Sequence, residues 1–276
     1  MKKAKIRKGI LFVVILLVLI VFLVPFYILV LNTFKPTSDF LSDPFGWPAG
    51  FDLSNYTEAI EKMNFWVALG NTAVITVVAT LLNTIVSSMT GYFFARKGWR
   101  VNKVAFLLML ASMVAPFQVY MIPLVKIYGG TLGLSNNLMM VAYIAAALNI
   151  PFAVFLYNGF AEGIPVELDE AAKIDGCSFT KTYFKIIFPL LKPIMITVMV
   201  FVALGAWNDY LMTSLFLTKM ETRTLAIAAF TFLSNHTADY SPMMAGLLIG
   251  IIPILIFYFI GQKYIIEGVV AGSVKG

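Results

Sequence analysis

The sequence has 276 residues, 60% of them hydrophobic and 12% charged, with a formal net charge of +6 and a pI near 9.3. An ordinary soluble domain carries roughly 45–50% apolar and 25% charged residues, so water is not the main solvent of this chain. A single cysteine, Cys177, excludes an internal disulfide framework and a paired-thiol metal site. The basic residues sit beside hydrophobic runs rather than along one polar helix face, a placement that speaks for membrane topology and against nucleic-acid binding.

A helix that crosses the hydrocarbon core needs about 20 mostly apolar residues. Six such runs predict an all-α integral membrane protein in one transmembrane domain over 1–276, with helices at 9–32, 65–94, 104–125, 138–158, 194–217 and 242–264. The amino terminus presents Lys2, Lys3, Lys5, Arg7 and Lys8 before an apolar run from Gly9 to Leu31. That run is too long for a signal-peptide core and no small-residue cleavage site follows it, so it reads as a first span entering from the cytoplasm. The loop 33–64 then carries Asp39, Asp43, Asp52, Glu58 and Glu61 with Pro36, Pro44 and Pro48, and is long enough to meet an external partner.

Pro25, Pro116, Pro123, Pro151 and Pro253 fall within predicted spans. Proline removes a helical hydrogen bond and bends the helix, which helps enclose a cavity, although proline is also a common residue of membrane helices. Polar residues within the spans include Asn71, Thr72, Asn83, Thr84, Gln118, Asn149 and Thr213, most of them accounted for by helix-to-helix hydrogen bonds.

Residues 159–193 form the most informative loop. Pro165 is placed to open a short helix, Glu167, Asp169 and Glu170 favour its first turn through the helix dipole, and Gly176 is placed to close it. Ser178 then caps a second helix that Pro189 ends or bends. Carboxylates beside the small Ala171 and Ala172 describe a docking surface, or an amphipathic connector lying on the membrane face.

The fifth span holds Trp207, Asn208, Asp209 and Tyr210. Asp209 is the one carboxylate predicted inside a span, and an ionisable group there is a functional candidate by default. It lies about 22 Å along the helix from Ile194 at 1.5 Å per residue, in the outer half of the bilayer. Direct contact with substrate, an interfacial aromatic belt from Trp207 and Tyr210, and a tie between helices are the readings open to this cluster. In the last span Gly246 and Gly250 form a small-residue step suited to close helix packing.

Cytoplasmic termini would place Lys2, Lys3, Lys5, Arg7, Lys8, Arg96, Lys97, Arg100, Lys103, Lys173, Lys181, Lys185, Lys192, Lys263 and Lys275 inside, leaving only Lys35, Lys62, Lys126, Lys219 and Arg223 outside. The bias sets the orientation. No phosphate-cradling glycine loop of the form G-x-x-x-x-G-K-[ST] occurs, which speaks against an ATPase site on this chain. His236 and Cys177 are isolated from each other and assemble no catalytic centre.

Glu170-Ala171-Ala172, three residues, Gly176, nine residues, Ile186, one residue and Phe188-Pro189 resemble the EAA loop of binding-protein-dependent ABC importer permeases, with Phe188 in place of the usual leucine. Trp207 to Tyr210, the loop Arg96 to Lys103 and the ending Val269 to Gly276 are similar to the MalG-like sugar permeases. The resemblance implies the type I importer permease fold with a coupling helix between helices 4 and 5. Glu170, Ala171, Ala172, Lys173, Ile174, Asp175, Gly176 and Pro189 would then form the ATPase-coupling surface, with Lys275 and Gly276 at the ATPase interface. It further implies a second homologous permease, two ATPase subunits that hold ATP and Mg, an external sugar-binding protein, no cofactor on this chain, and a multi-pass place in a bacterial inner membrane. Trp207, Asn208, Asp209, Tyr210, Gln118 and Asn83 are the pathway candidates. The competing readings are an importer for another solute and a membrane-embedded enzyme or scaffold.

Overall fold

The computed structural model describes the backbone of residues 2–233 and 238–273, with side chains described for 7–233 and 238–262. Among the described residues the structure is helical, apart from one isolated antiparallel bridge between Leu233 and Ala238. The helices are α1 (Lys2–Asn32), α2 (Thr37–Ser42), α3 (Ser54–Lys62), α4 (Phe65–Arg96), α5 (Arg100–Ser112), α6 (Phe117–Leu124) and α7 (Leu138–Ala161). They continue as α8 (Glu167–Ile174), α9 (Phe179–Thr182), α10 (Phe188–Leu190), α11 (Lys192–Asn208), α12 (Leu211–Phe216), α13 (Leu225–Ala229) and α14 (Tyr240–Ser273). Two wide turns, Val125–Thr131 and Tyr183–Ile187, extend α6 and join α9 to α10.

Four of these helices are long and apolar enough to cross a membrane by themselves, namely α1 from Arg7, α4, α7 and α14 as far as Gln262. Two bent pairs bring the number of spans to six. Arg100–Ser112 and Phe117–Thr131 meet at 96°, and Phe179–Leu190 and Lys192–Asn208 meet at 80°. The third predicted run, 104–125, is therefore a broken span rather than a straight one. Its break follows from Pro116, which holds an extended backbone (φ −67°, ψ 147°) at the start of α6. Pro25, Pro123, Pro151 and Pro253 stand inside continuous helices.

The chain divides into two compact units, one of residues 1–66 with 228–251 and the other of residues 67–227 with 252–276. In the first, side chains of α1 from Arg7 to Tyr27 are all exposed. Buried Asn55 ties the loop after α1 by donating to Thr33 O (2.9 Å) and Lys35 O (2.8 Å). Thr37 Oγ1 donates to Asp239 Oδ1 at 2.7 Å. Gly246 lies against Met63 and Ala59, so a side chain there would collide, which bears out its packing role.

In the second unit α7 runs through two apolar clusters. Its first half packs Val141, Ala142 and Ala145 against Ile75 and Ala79 of α4 and Phe216 of α12. Its second half packs Ala153, Tyr157 and Ala161 against Tyr92, Tyr183 and the Ile194–Val198 face of α11. Small residues let the helix axes approach, and at Gly91 an added Cβ would stand 2.6 Å from Tyr157 Cβ and 2.9 Å from Asn158 N. Fully buried Asn83 donates to Ala146 O (3.0 Å) and bonds α4 to α7. Along α4 the polar positions Thr72, Thr76, Thr80, Thr84, Ser88, Tyr92 and Arg96 recur every fourth residue and so form a stripe that winds slowly around the helix; the first six are buried.

Candidate functional site

The loop 159–193 folds as its sequence predicts. Three carboxylates occupy the first turn of α8, Glu167, Asp169 and Glu170, where the unpaired amides of a helix start favour negative charge. The helix ends in a glycine turn. Gly176 has φ +75°, its N–H reaches Lys173 O (3.1 Å), and the Cys177 N–H reaches back to Ala172 O (2.9 Å). Only glycine takes this left-handed conformation without strain, and the two bonds satisfy carbonyls that α8 would otherwise leave open. Ser178 Oγ then accepts from Lys181 N (3.3 Å) and starts α9.

The predicted coupling residues do not all face the same way. Ala172 is buried, whereas Glu170, Ala171, Lys173, Ile174, Asp175, Gly176 and Pro189 are exposed. Ile174 is 86% exposed, an apolar side chain at the tip of a polar helix. Lys275 and Gly276 lie outside the described residues.

What fixes α8 to the rest of its unit comes from α4. Arg96 Nε donates to Asp169 Oδ2 at 2.7 Å, and the Tyr92 hydroxyl donates to Asp169 Oδ1. The same guanidinium donates to Ala161 O (3.0 Å) at the end of α7 and to Ile164 O (2.9 Å) just beyond it. The side chains of Arg96 and Asp169 are 8% and 19% exposed, so both charges are largely withdrawn from water and each depends on the other. The Arg96 guanidinium also lies over the Tyr92 ring at 5.6 Å, and that ring stacks on Phe179 of α9 with centroids 5.1 Å apart. Deeper in, Ser88 and the Tyr183 hydroxyl are hydrogen bonded at 2.6 Å. A cavity of about 380 Å³ opens beside this cluster, with Lys97, Lys173, Cys177 and Thr182 on its walls.

Sequence reasoning assigned Asp169 to the helix dipole and Arg96 to the inner positive charge, and did not pair them. They stand 73 residues apart and no short motif joins them. The available signal was an arginine at the very end of an apolar run, where its side chain must find either water or a carboxylate.

The pathway candidates are dispersed. Asn83 is consumed in the α4–α7 contact, and Gln118 is exposed on the first turn of α6 beyond its bend. Asn208 donates to Leu204 O (2.9 Å) within its own helix. Asp209 breaks the fifth predicted run: its ψ of 119° ends α11, and its Oδ1 accepts the Thr213 N–H at 2.8 Å at the start of α12. Trp207 and Asp209 are half-buried and Tyr210 is exposed. Among the described residues no cluster of His, Cys, Asp and Glu has the makings of a metal site.

Residues 87–270, from within α4 to near the end of α14, match the family described as the inner membrane component of binding-protein-dependent transport systems. The chain belongs to that family. It is 37% identical over 275 residues, covering the whole of both chains, to the probable starch degradation products transport system permease protein AmyC of Thermoanaerobacterium thermosulfurigenes. It is 35% identical over 254 residues to the melibiose/raffinose/stachyose import permease protein MelC of Bacillus subtilis, covering 92% of this chain and 91% of that one. The fold matches that of a bacterial ABC transporter involved in the import of the acidic polysaccharide alginate, with a TM-score of 0.82 at 20% identity over 96% of this chain and 98% of that one. The molecule is thus an all-α, multi-pass permease of the type I importer fold, with the short helix α8 between the fourth and fifth spans, and a transport subunit rather than an enzyme.

Proposed function

We propose that this chain is one permease of an ATP-driven carbohydrate importer, forming half of the translocation pathway and taking up oligosaccharides. The relatives named above are transporters of starch degradation products and of melibiose, raffinose and stachyose, which supports the substrate class. The observation that carries the coupling role is α8: its exposed Glu170 and Ile174 project from a helix whose other side is bonded to α4 through Asp169. An exposed apolar tip on a firmly mounted polar helix is what a protein partner in water would grip. That partner is an ATPase subunit which holds ATP and Mg and lies on the cytoplasmic side, where the positive charges put both termini.

The assembly then contains a second homologous permease, two ATPase subunits and an external sugar-binding protein. Closure of the ATPase pair moves the coupling helices, and rigid helix groups rock to open the pathway to alternate sides. Trp207, Asp209 and Tyr210, at the break between α11 and α12, are the residues of this chain best placed for the sugar.

Affinity purification of the chain from its native membrane in mild detergent tests the reading. Recovery of a second six-span permease and a Walker-type ATPase supports it, and the co-purified binding protein can then be titrated with oligosaccharides. Glu170→Lys is expected to reach the membrane in normal amount and to lose at least tenfold in retained ATPase, the 1.4 kcal/mol of one lost charged contact. Full ATPase retention and full uptake by that variant would falsify the coupling role of α8.

A further inference from the structure

α4 is bonded at both of its ends. At one end Arg96 and Tyr92 hold Asp169 of α8. At the other, Asn71 Nδ2 donates to Glu221 O (2.8 Å) and Arg223 O (3.0 Å), and Thr72 Oγ1 accepts the Leu225 N–H at 2.9 Å while donating to Ala68 O. From Thr72 to Arg96 the helix runs uninterrupted for about 36 Å, more than the roughly 30 Å of hydrocarbon in a bilayer. The two gripped segments therefore lie on opposite sides of the membrane.

α7 doubles this connection. Asn83 and Gly91 bind α4 to it along its length, and Arg96 bonds its far end. Just before α7, Asn136 (φ +60°) accepts at Oδ1 from Thr218 N (2.8 Å), Lys219 N (2.8 Å) and Thr222 Oγ1 (3.0 Å), and its own N–H reaches Phe216 O at 2.8 Å. The loop 217–224 is thus held from both helices by side-chain amides. No proline interrupts α4, and the Cβ-free contact at Gly91 leaves it no room to slide against α7.

We propose that the α4–α7 pair is a strut that carries displacement of the coupling helix to the outer loop 217–224, with Arg96 and Asn71 as the positioning residues at its two ends. This rests on the importer reading above and deepens it. The loop is the place where an external binding protein would feel the state of the ATPase, and where its arrival would be felt in return, since coupling between two sites is reciprocal.

The test uses the complete complex reconstituted in lipid, measuring ATPase activity with and without sugar-loaded binding protein, and sugar moved per ATP. Asn71→Ala is expected to retain the ATPase subunits and to lose stimulation by the binding protein about threefold to tenfold, with a parallel fall in sugar per ATP. Thr72→Val, which keeps the shape but removes the acceptor for the Leu225 N–H, is expected to act in the same direction and carries the test if Asn71→Ala does not accumulate. Arg96→Asp is expected to uncouple transport, and the charge exchange Arg96→Asp with Asp169→Arg to restore more than half of the lost ratio. Wild-type stimulation and stoichiometry in both Asn71→Ala and Thr72→Val would overturn the strut. A wild-type chain that recovers no ATPase would instead overturn the importer reading.

Discussion

Three carboxylates of this chain each satisfy their oxygens at a helix start, and they differ in how far away the partner comes from. Asp169 is held by Arg96 and Tyr92, on another helix more than 70 residues earlier. Asp209 takes the amide of Thr213, four residues on. Asp52 takes the amide and the hydroxyl of Ser54, two residues on. The longer the reach, the more of the molecule depends on the contact: the first mounts α8 on α4, the second shapes one break in one span, and the third stands at the start of α3.

That ordering predicts the sizes of the effects. Asp169→Ala leaves Arg96 charged and 8% exposed with no counter-ion, a loss of about 3 kcal/mol. Thermal unfolding of the purified permease should fall accordingly, and a variant melting like the wild type would place the two charges in water after all. Gly176→Ala meets no neighbouring atom but forces a Cβ onto a φ of +75°, about 1 kcal/mol of strain at the turn that ends α8. Weaker retention of the ATPase on titration with detergent is the expected result.

Asp209 separates structure from substrate. Asp209→Ala removes a cap and should cost about 1 kcal/mol of stability, whereas Asp209→Asn keeps an oxygen for the Thr213 amide and should leave the melting temperature within a degree or two of wild type. Normal protein level with abolished uptake in Asp209→Asn would show that the charge itself serves the pathway.

The smallest effect belongs to Asp52. The Ser54 N–H, and then its hydroxyl, hold the carboxyl below the ordinary carboxylate range. Because its folded value is depressed, its contribution is present above the unfolded value and is lost as pH falls through the folded one. In carbon NMR of labelled aspartate, Ser54→Ala should move the Asp52 titration upward, toward the ordinary value, and an unmoved Asp52 titration would show that the hydroxyl contributes nothing to the shift.

These differences of reach also explain what could be read from the sequence. The six apolar runs were legible because transfer energy accumulates over some 20 consecutive residues and no distant contact is needed to see it. The α8 turn was legible for the same reason, since Gly176, Cys177 and Ala172 satisfy one another within a few residues. The 96° bend was not, because Pro116 breaks its run while Pro25, Pro151 and Pro253 remain inside helices, and the difference lies in neighbours the sequence does not name. Nor was the break at Asp209, where no proline stands and a side chain competes for a backbone amide. The Arg96–Asp169 pair was invisible because two correct local readings, a dipole partner and an inward charge, left no reason to join them.

The polar stripe of α4 bears on how such a chain is made. Thr72 and Ser88 return their hydroxyl protons to carbonyls four residues earlier, Ala68 O and Thr84 O, so each hides its donor within its own helix. Those two hydroxyls therefore need no partner from α7 or the loop after it when α4 first enters the lipid, whereas the Asn83 amide, which donates to Ala146 O, finds its acceptor only when α7 arrives. Arg96, the last residue of α4, precedes Asp169 in the chain by 73 residues, so this ion pair can close only after α7 and α8 have been made.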